Sequence, residues 1–212
     1  MEPLLIEVPE RIETDRFVLR APRTGDGPRL NAAVHATLPE LQPWMPWAQA
    51  APSLEESEAY CRRNEARFRL REDLPYFIFD READGDEGRL VGATGLHRLD
   101  WELRRFEIGY WRRAGLQGLG IVSEAVRALG RMAFDRLDAR RVEIRMDAEN
   151  AASRRVAERA GFTFEGLLRR DSLSVRGEPR DTRLYSRVRG VEEPAAQRSH
   201  APALRRSLSV EQ

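Results

Sequence analysis

Two glycines, Gly118 and Gly120, stand between a strand-like run and a helix-like run in the stretch Leu116-Gln-Gly-Leu-Gly-Ile-Val-Ser-Glu-Ala125. No other feature constrains the chain as much. Before them, Arg104 to Trp111 (RRFEIGYW) alternates as a strand does: Phe106, Ile108 and Tyr110 point one way, Glu107, Gly109 and Trp111 the other. After them, Val122, Val126, Leu129, Ala133 and Leu137 recur at helical spacing. Glycines at such a junction let the backbone turn tightly, and they leave bare N–H groups at the positive end of the helix, where a phosphate can sit. A plain turn explains an isolated match equally well. A dinucleotide fingerprint is disfavoured, because Ser123 stands where its third glycine is needed. A P-loop is excluded, since the chain contains no lysine to reach the phosphates.

The remaining pattern alternates strands with helices and predicts an α/β chain with a mixed sheet. Arg16 to Arg20 reads as a strand, broken by Gly25-Asp26-Gly27-Pro28 before a helix that runs through His35. Pro39 to Ala51 carries three prolines and two tryptophans and predicts a rigid loop with large apolar faces. Ser53 and Glu56 form a capping box that starts a polar helix ending near Arg71. Tyr76 to Phe79 and Leu90 to Leu96 read as strands joined by an Asp- and Gly-rich loop, and Val142, Ile144 and Met146 as another strand. A short helix from Ala151 ends at Gly161, a left-handed cap, and Phe162 to Leu168 and Thr182 to Val188 close the pattern as two strands around a turn.

A chain of 212 residues accommodates one well-buried domain with tails. We divide it into an N-terminal segment (1–12), a domain (13–190) and an aperiodic tail (191–212) expected to be disordered. The formal net charge of +1 gives no global field toward nucleic acid or an anionic membrane. The tail also argues against nucleic acid, because it mixes acids with its arginines and has no aromatic. All 36 basic side chains are arginine, which we read as a coding bias. Cys61 is the only cysteine, so no internal disulfide can form, as expected in a reducing compartment. The start MEPLLIEVPERIE lacks the basic, unbroken apolar character of a signal peptide, and no run reaches membrane-spanning length. A soluble, cytoplasmic protein is expected.

From Glu13 to Arg189 the chain resembles the GCN5-related N-acetyltransferases (GNAT), and within them the RimJ/RimL branch that acetylates protein N-termini. The resemblance rests on ETDRFVLRAP, LQPWMPWA, FEIGYW, QGLGIVSEA, DAENAASRRVAERAGFTFEG and RDTRLYSRV, in that order. It implies a GNAT fold: a twisted mixed sheet of about six to seven strands, helices on both faces, and a splayed parallel strand pair that holds CoA. The family's pyrophosphate loop maps onto Gln117, Gly120 and Val122, where Val122 departs from the usual small residue without removing a backbone donor. Cofactor contacts are thereby implied for Gln117, Gly118, Leu119, Gly120, Ile121, Val122 and Ser123. Asn150 is implied for the pantetheine arm, with a helix N-cap as its other reading. The backbone of Ile108, Gly109 and Tyr110 would face the acetyl carbonyl as an oxyanion donor.

Acetyl transfer needs an amine delivered as the free base, a donor for the tetrahedral oxyanion and a route out for the thiolate. It needs no metal site. The resemblance offers Glu107 as the base, on the strand that meets the acetyl group, against an ion pair with Arg104 or Arg145. It offers Ser153, in Asn150-Ala-Ala-Ser153, to protonate the leaving thiolate, against a local bond in the first helical turn. The family's usual tyrosine would fall at Ala157, and the carboxylate of the RimL branch is not clearly kept near Asp171. Trp44 and Trp47 would line the acceptor side, together with Met45. His97 reads as a half-exposed strand residue. The implied partners are acetyl-CoA and either a protein N-terminus or a small amine (a polyamine or an antibiotic), in a chain compatible with a homodimer. A CoA-binding sensor without transferase activity is the alternative from another class, and retention of both Glu107 and Ser153 argues against it. Membrane and nucleic-acid partners are not expected.

Overall fold

The computed structural model describes residues 2–81 and 87–194. Most of the expected tail, and the middle of the Asp- and Gly-rich loop, lie outside these residues. The elements run β1 (Arg11–Glu13), β2 (Phe17–Arg20), α1 (Gly27–Leu41), α2 (Leu54–Arg69), β3 (Leu74–Arg81), β4 (Glu87–Asp100) and β5 (Arg105–Arg112). They continue α3 (Ile121–Arg136), β6 (Arg141–Asp147), α4 (Ala151–Arg159), β7 (Thr163–Leu173) and β8 (Pro179–Val188). The eight strands of the described residues form one sheet in the order β1-β2-β3-β4-β5-β6-β8-β7. The expected α/β architecture is observed, with one strand more than the upper expectation. The extra strand is β1, in which Arg11 pairs with Arg20 of β2. Ile6 and Val8 are buried just before it, so the N-terminal segment contributes to the core.

Alternation along the strands divides the core between the two faces of the sheet. In β3, Leu74, Tyr76 and Ile78 join a cluster built with α3 and α4, whereas Phe77 and Phe79 join Leu30 and Val34 of α1, Cys61 of α2 and Leu90 of β4. Burial pushes the Cys61 thiol up to about 12, so it packs as a small apolar side chain and not as a nucleophile. Helix α2 starts at the expected capping box, with both reciprocal bonds between Ser53 and Glu56 formed. Helix α1 departs from expectation: it passes through Pro39 to Leu41 instead of yielding to a loop. Val34, Thr37 and Leu41 continue its buried face, and that burial outweighs the one helical bond Pro39 cannot donate. No helix among the described residues is long and apolar enough to cross a membrane.

Neighbouring strands are antiparallel except β5 and β6, which α3 connects by a crossover. Their pairing lasts only from Arg105–Arg141 through Phe106–Val142 to Glu107–Glu143. Beyond Glu107 the two strands separate, and each keeps its bonds only to its outer neighbour.

A buried charge cluster fixes the opposite end of the sheet. The Arg20 guanidinium donates to both oxygens of Asp26 at 2.6 and 2.7 Å and to Glu87 at 2.6 Å, while lying over the Phe79 ring. The Arg20 and Asp26 side chains are 4% and 8% exposed, so neither charge has water as a substitute partner. Arg20→Ala should therefore cost about 3–5 kcal/mol, since it strands a buried carboxylate. Urea denaturation measures this, and a loss below about 1 kcal/mol would place the cluster among ordinary surface pairs.

Candidate active site

The separation of β5 and β6 opens a cleft of about 590 Å³ lined by Ile108, Gly109, Tyr110, Val122, Ile144, Asn150 and Ser153, among others. At one end the cleft reaches the start of α3 at Val122, the one residue of the glycine loop and helix start (117–123) that lines it. Gly115, Gly118 and Gly120 take φ of 78°, 79° and 74°, a region that side chains with a Cβ avoid. Gly120 caps α3 without any side-chain bond. The N–H groups of Ile121, Val122 and Ser123 therefore have no intrahelical acceptor and sit at the positive end of the helix dipole.

Two clamps hold this loop, and the sequence reading identified neither. Arg16 donates through Nε and Nη2 to Glu124 Oε2 at 2.9 and 2.6 Å and through Nη1 to the Leu119 carbonyl at 3.0 Å. Glu40 of α1 receives Gln117 Nε2 on one oxygen and Arg112 Nη2 on the other, both at 2.9 Å. The Gln117 side chain is thus bound to α1, and the Leu119 side chain is exposed.

At the other end, Asn150 Oδ1 accepts the Ser153 N–H at 2.9 Å, which makes Asn150 the N-cap of α4. The Ser153 hydroxyl lies 2.8 Å from the Tyr110 hydroxyl, which also donates to the Ser153 carbonyl at 3.1 Å. Burial raises the Tyr110 phenol above its ordinary range and keeps it protonated. A tyrosine hydroxyl thus does reach Ser153, but from β5; Ala157, where the family tyrosine would fall, is buried. The contact joins residues 43 apart in sequence, and no local spacing indicates it.

Glu107 lines the same cleft at the last paired position of β5, opposite Glu143 of β6 and His97 of β4. Burial raises its carboxyl pKa, opposed by Arg98 and Arg145 and reinforced by Glu143. Its ion-pair partner is Arg98, with Nη1 at 3.2 Å from Oε2, and neither of the two expected arginines. Arg145 bonds Asp171 at 2.7 Å, and Arg104 lies over Trp101 and donates to the Leu137 carbonyl.

A second cavity of about 880 Å³ lies on the α1/α2 side of the sheet and meets the first at Met45, Gly109, Tyr110 and Trp111. Trp47 lines this second cavity and packs at 6.4 Å against Trp111, whereas Trp44 lines the first. The structure therefore separates the two tryptophans that the sequence reading placed together. His97 also lines the second cavity, with its ring bonded to Asp73.

Residues 16–163 match the family model described as an acetyltransferase (GNAT) domain. A Bacillus subtilis (strain 168) protein provisionally named a ribosomal N-acetyltransferase is 43% identical over 100 residues, covering 47% of this chain and 54% of its own. The chain thus spans about half the length of that relative. The ribosomal-protein-serine acetyltransferase of Escherichia coli (strain K12) is 29% identical over 148 residues, covering 70% of this chain and 79% of its own. Among solved structures, RimL, a ribosomal L7/L12 α-N-protein acetyltransferase in complex with coenzyme A, is 28% identical. It has a TM-score of 0.76 and covers 84% of this chain and 98% of its own.

If the α3 amides receive a pyrophosphate, Gly120→Glu should abolish CoA binding, because a carboxylate enters the anion nest and its backbone must leave the left-handed region or bear the strain. Calorimetry with CoA on a variant shown by circular dichroism to be folded checks this. Retained affinity would remove the loop from that role.

Proposed function

This chain belongs to the GNAT acetyltransferase family, and from that premise we propose that it transfers acetyl from acetyl-CoA to a primary amine by direct attack on the thioester, with a protein N-terminal α-amino group as the favoured acceptor. The observation that carries the reading is the cleft itself. It begins at unpaired α3 amides suited to a pyrophosphate and ends at a hydroxyl pair suited to a leaving thiolate.

In this reading the loop from Gln117 to Ser123 binds the pyrophosphate through backbone N–H groups. The free edge of β5 at Ile108, Gly109 and Tyr110 offers its backbone to the pantetheine amides and to the oxyanion. Asn150 keeps its Oδ1 on the Ser153 N–H and has its amide nitrogen left for the arm. The amine enters from the second cavity, adds to the carbonyl carbon and gains positive charge. Glu107 has a part in removing the proton, because it lines the cleft where the strands separate and burial raises its affinity for a proton. The carbon–sulfur bond then breaks, and the thiolate takes a proton from the Ser153 and Tyr110 hydroxyls, which solvent restores. Holding the two reactants together supplies on the order of 7–11 kcal/mol of the barrier. The ribosomal acceptors named for two of the relatives support a peptide amine over a small one.

The test is thiol release from acetyl-CoA across N-terminal peptides, spermidine and an aminoglycoside. Peptides should be the best acceptors. A preference for spermidine over every peptide would overturn the acceptor, and tight CoA binding with no release would replace the enzyme by a sensor. CoA is already a fair leaving group, so Ser153→Ala should lower kcat about tenfold to a hundredfold and Tyr110→Phe by less, with CoA affinity kept. The two cavities also predict opposite effects for the tryptophans. Trp47→Ala should raise the acceptor KM alone and Trp44→Ala the acetyl-CoA KM, and equal effects would place both in general packing.

A further inference from the structure

We propose that His97, oriented by Asp73, is the general base that receives the proton of the attacking amine; this rests on the acetyl-transfer reading above. His97 and Glu107 are cross-strand partners, as are Gly95 and Gly109 one step along, so the four positions share one face of the sheet, where His97 and Gly109 line the second cavity and Glu107 and Gly109 the first. The imidazole lies against the two glycines. A Cβ at Gly95 would come within 2.9 Å of its Cε1 and Nε2, and a Cβ at Gly109 within 2.9 Å of Cδ2 and 3.2 Å of Nε2. Both positions therefore exclude a side chain where the ring sits, which places Nε2 beside Gly109, a residue common to both cavities.

The other ring nitrogen fixes the chemistry. Nδ1 lies 2.7 Å from Asp73 Oδ1, and the Asp73 side chain is only 13% exposed. A carboxylate there holds the proton on Nδ1 and leaves Nε2 with its lone pair. Among the described residues no protein group hydrogen-bonds Nε2. Glu107 is the competing base: its Oε2 is buried, 3.2 Å from the Arg98 guanidinium and without a hydrogen bond, so its own substitution is part of the test. Tyr110 and Ser153 bond each other on the opposite side of β5 and serve as donors. The nitrogen–carbon bond forms and the amine proton passes to Nε2; the carbon–sulfur bond breaks and the thiolate takes its proton from the Ser153 and Tyr110 hydroxyls; His97 then releases its proton to solvent, with Asp73 offsetting the transient imidazolium charge.

The experiment measures thiol release with the best peptide at saturating acetyl-CoA from about pH 5.5 to 9. The other charged or titratable groups around the ring are Asp73 with Arg67 behind it, Glu107 with Arg98 on it, and, across the same cavity, Glu56, Tyr60 and Arg63 of α2. For this reason His97→Ala is compared with Asp73→Asn and Glu107→Gln and not with the wild type alone. His97→Ala should lose about a hundredfold or more near neutral pH, and less at pH 9 where hydroxide substitutes, with CoA affinity by calorimetry unchanged. The vacated space over the two glycines should admit imidazole from the buffer, which should restore part of the turnover of His97→Ala and leave wild type and Glu107→Gln unaffected. Asp73→Asn should lose about tenfold and show no rescue. Wild-type turnover in His97→Ala, or a loss that imidazole does not relieve and that is the same at every pH, would reduce His97 to a packing residue. An inactive wild type would instead sink the acetyl-transfer reading together with this one, so the two failures are distinguishable.

Discussion

The constraint on which the site depends is the short life of the β5–β6 pairing, which ends at Glu107 and Glu143. A strand that leaves its partner inside a domain carries unpaired N–H and C=O groups, and each costs about as much as a lost hydrogen bond unless water or a ligand meets it. Here these groups face an open cleft, where an extended molecule bearing amides can complete the ladder. The same separation brings the first turn of α3 to one end of the gap and that of α4 to the other, because both helices follow directly from the separating strands. One interruption in a sheet therefore produces the anion site, the central groove and the hydroxyl pair together.

Period-two alternation along β5 then divides the chemistry between two faces. Tyr110 points with Phe106 and Ile108 toward α3 and α4, where it finds Ser153; Glu107, Gly109 and Trp111 face the other way, Glu107 opposite His97, and Gly109 and Trp111 against the second cavity. Donors to a leaving group and acceptors from an incoming group are thus held on opposite sides of a single strand, and at Gly109 no side chain separates them.

Arginine, the sole basic residue type besides histidine, makes the fixed contacts around this frame. Its planar fork pairs both oxygens of Asp26, both oxygens of Glu165 through Arg141 at 2.6 and 2.7 Å, and combines a carboxylate with a backbone carbonyl at Arg16. The Arg141 hydrogen bonds hold the Glu165 carboxyl down to about 2 despite opposing desolvation. A lysine would offer a point charge at each place and would not set the angle of the loop or the sheet.

Local sequence was enough to determine the turn chemistry and every element except β1 and the last turn of α1. The glycine junction, the Ser53–Glu56 box, the Gly161 cap and the alternation of Arg104 to Trp111 are decided by neighbours a few residues apart, so they are legible without a fold. The candidate roles of Glu107 and Ser153 came from a family pattern, and their partners did not. Arg98 for Glu107, Tyr110 for Ser153, Glu40 for Gln117 and Asp73 for His97 are contacts between separate elements, and only the register of β4 on β3 and on β5 and the docking of α1 and α4 bring them within bonding distance. The run through Pro39 and the separation of Trp44 from Trp47 have the same origin: burial of Leu41 outweighs a local helix-breaking preference, and the turn that follows sends each indole to a different cavity. Backbone preference acts over one or two turns of chain, whereas side-chain pairing across a sheet is fixed only once hydrophobic burial has chosen the packing, and that choice belongs to the whole domain.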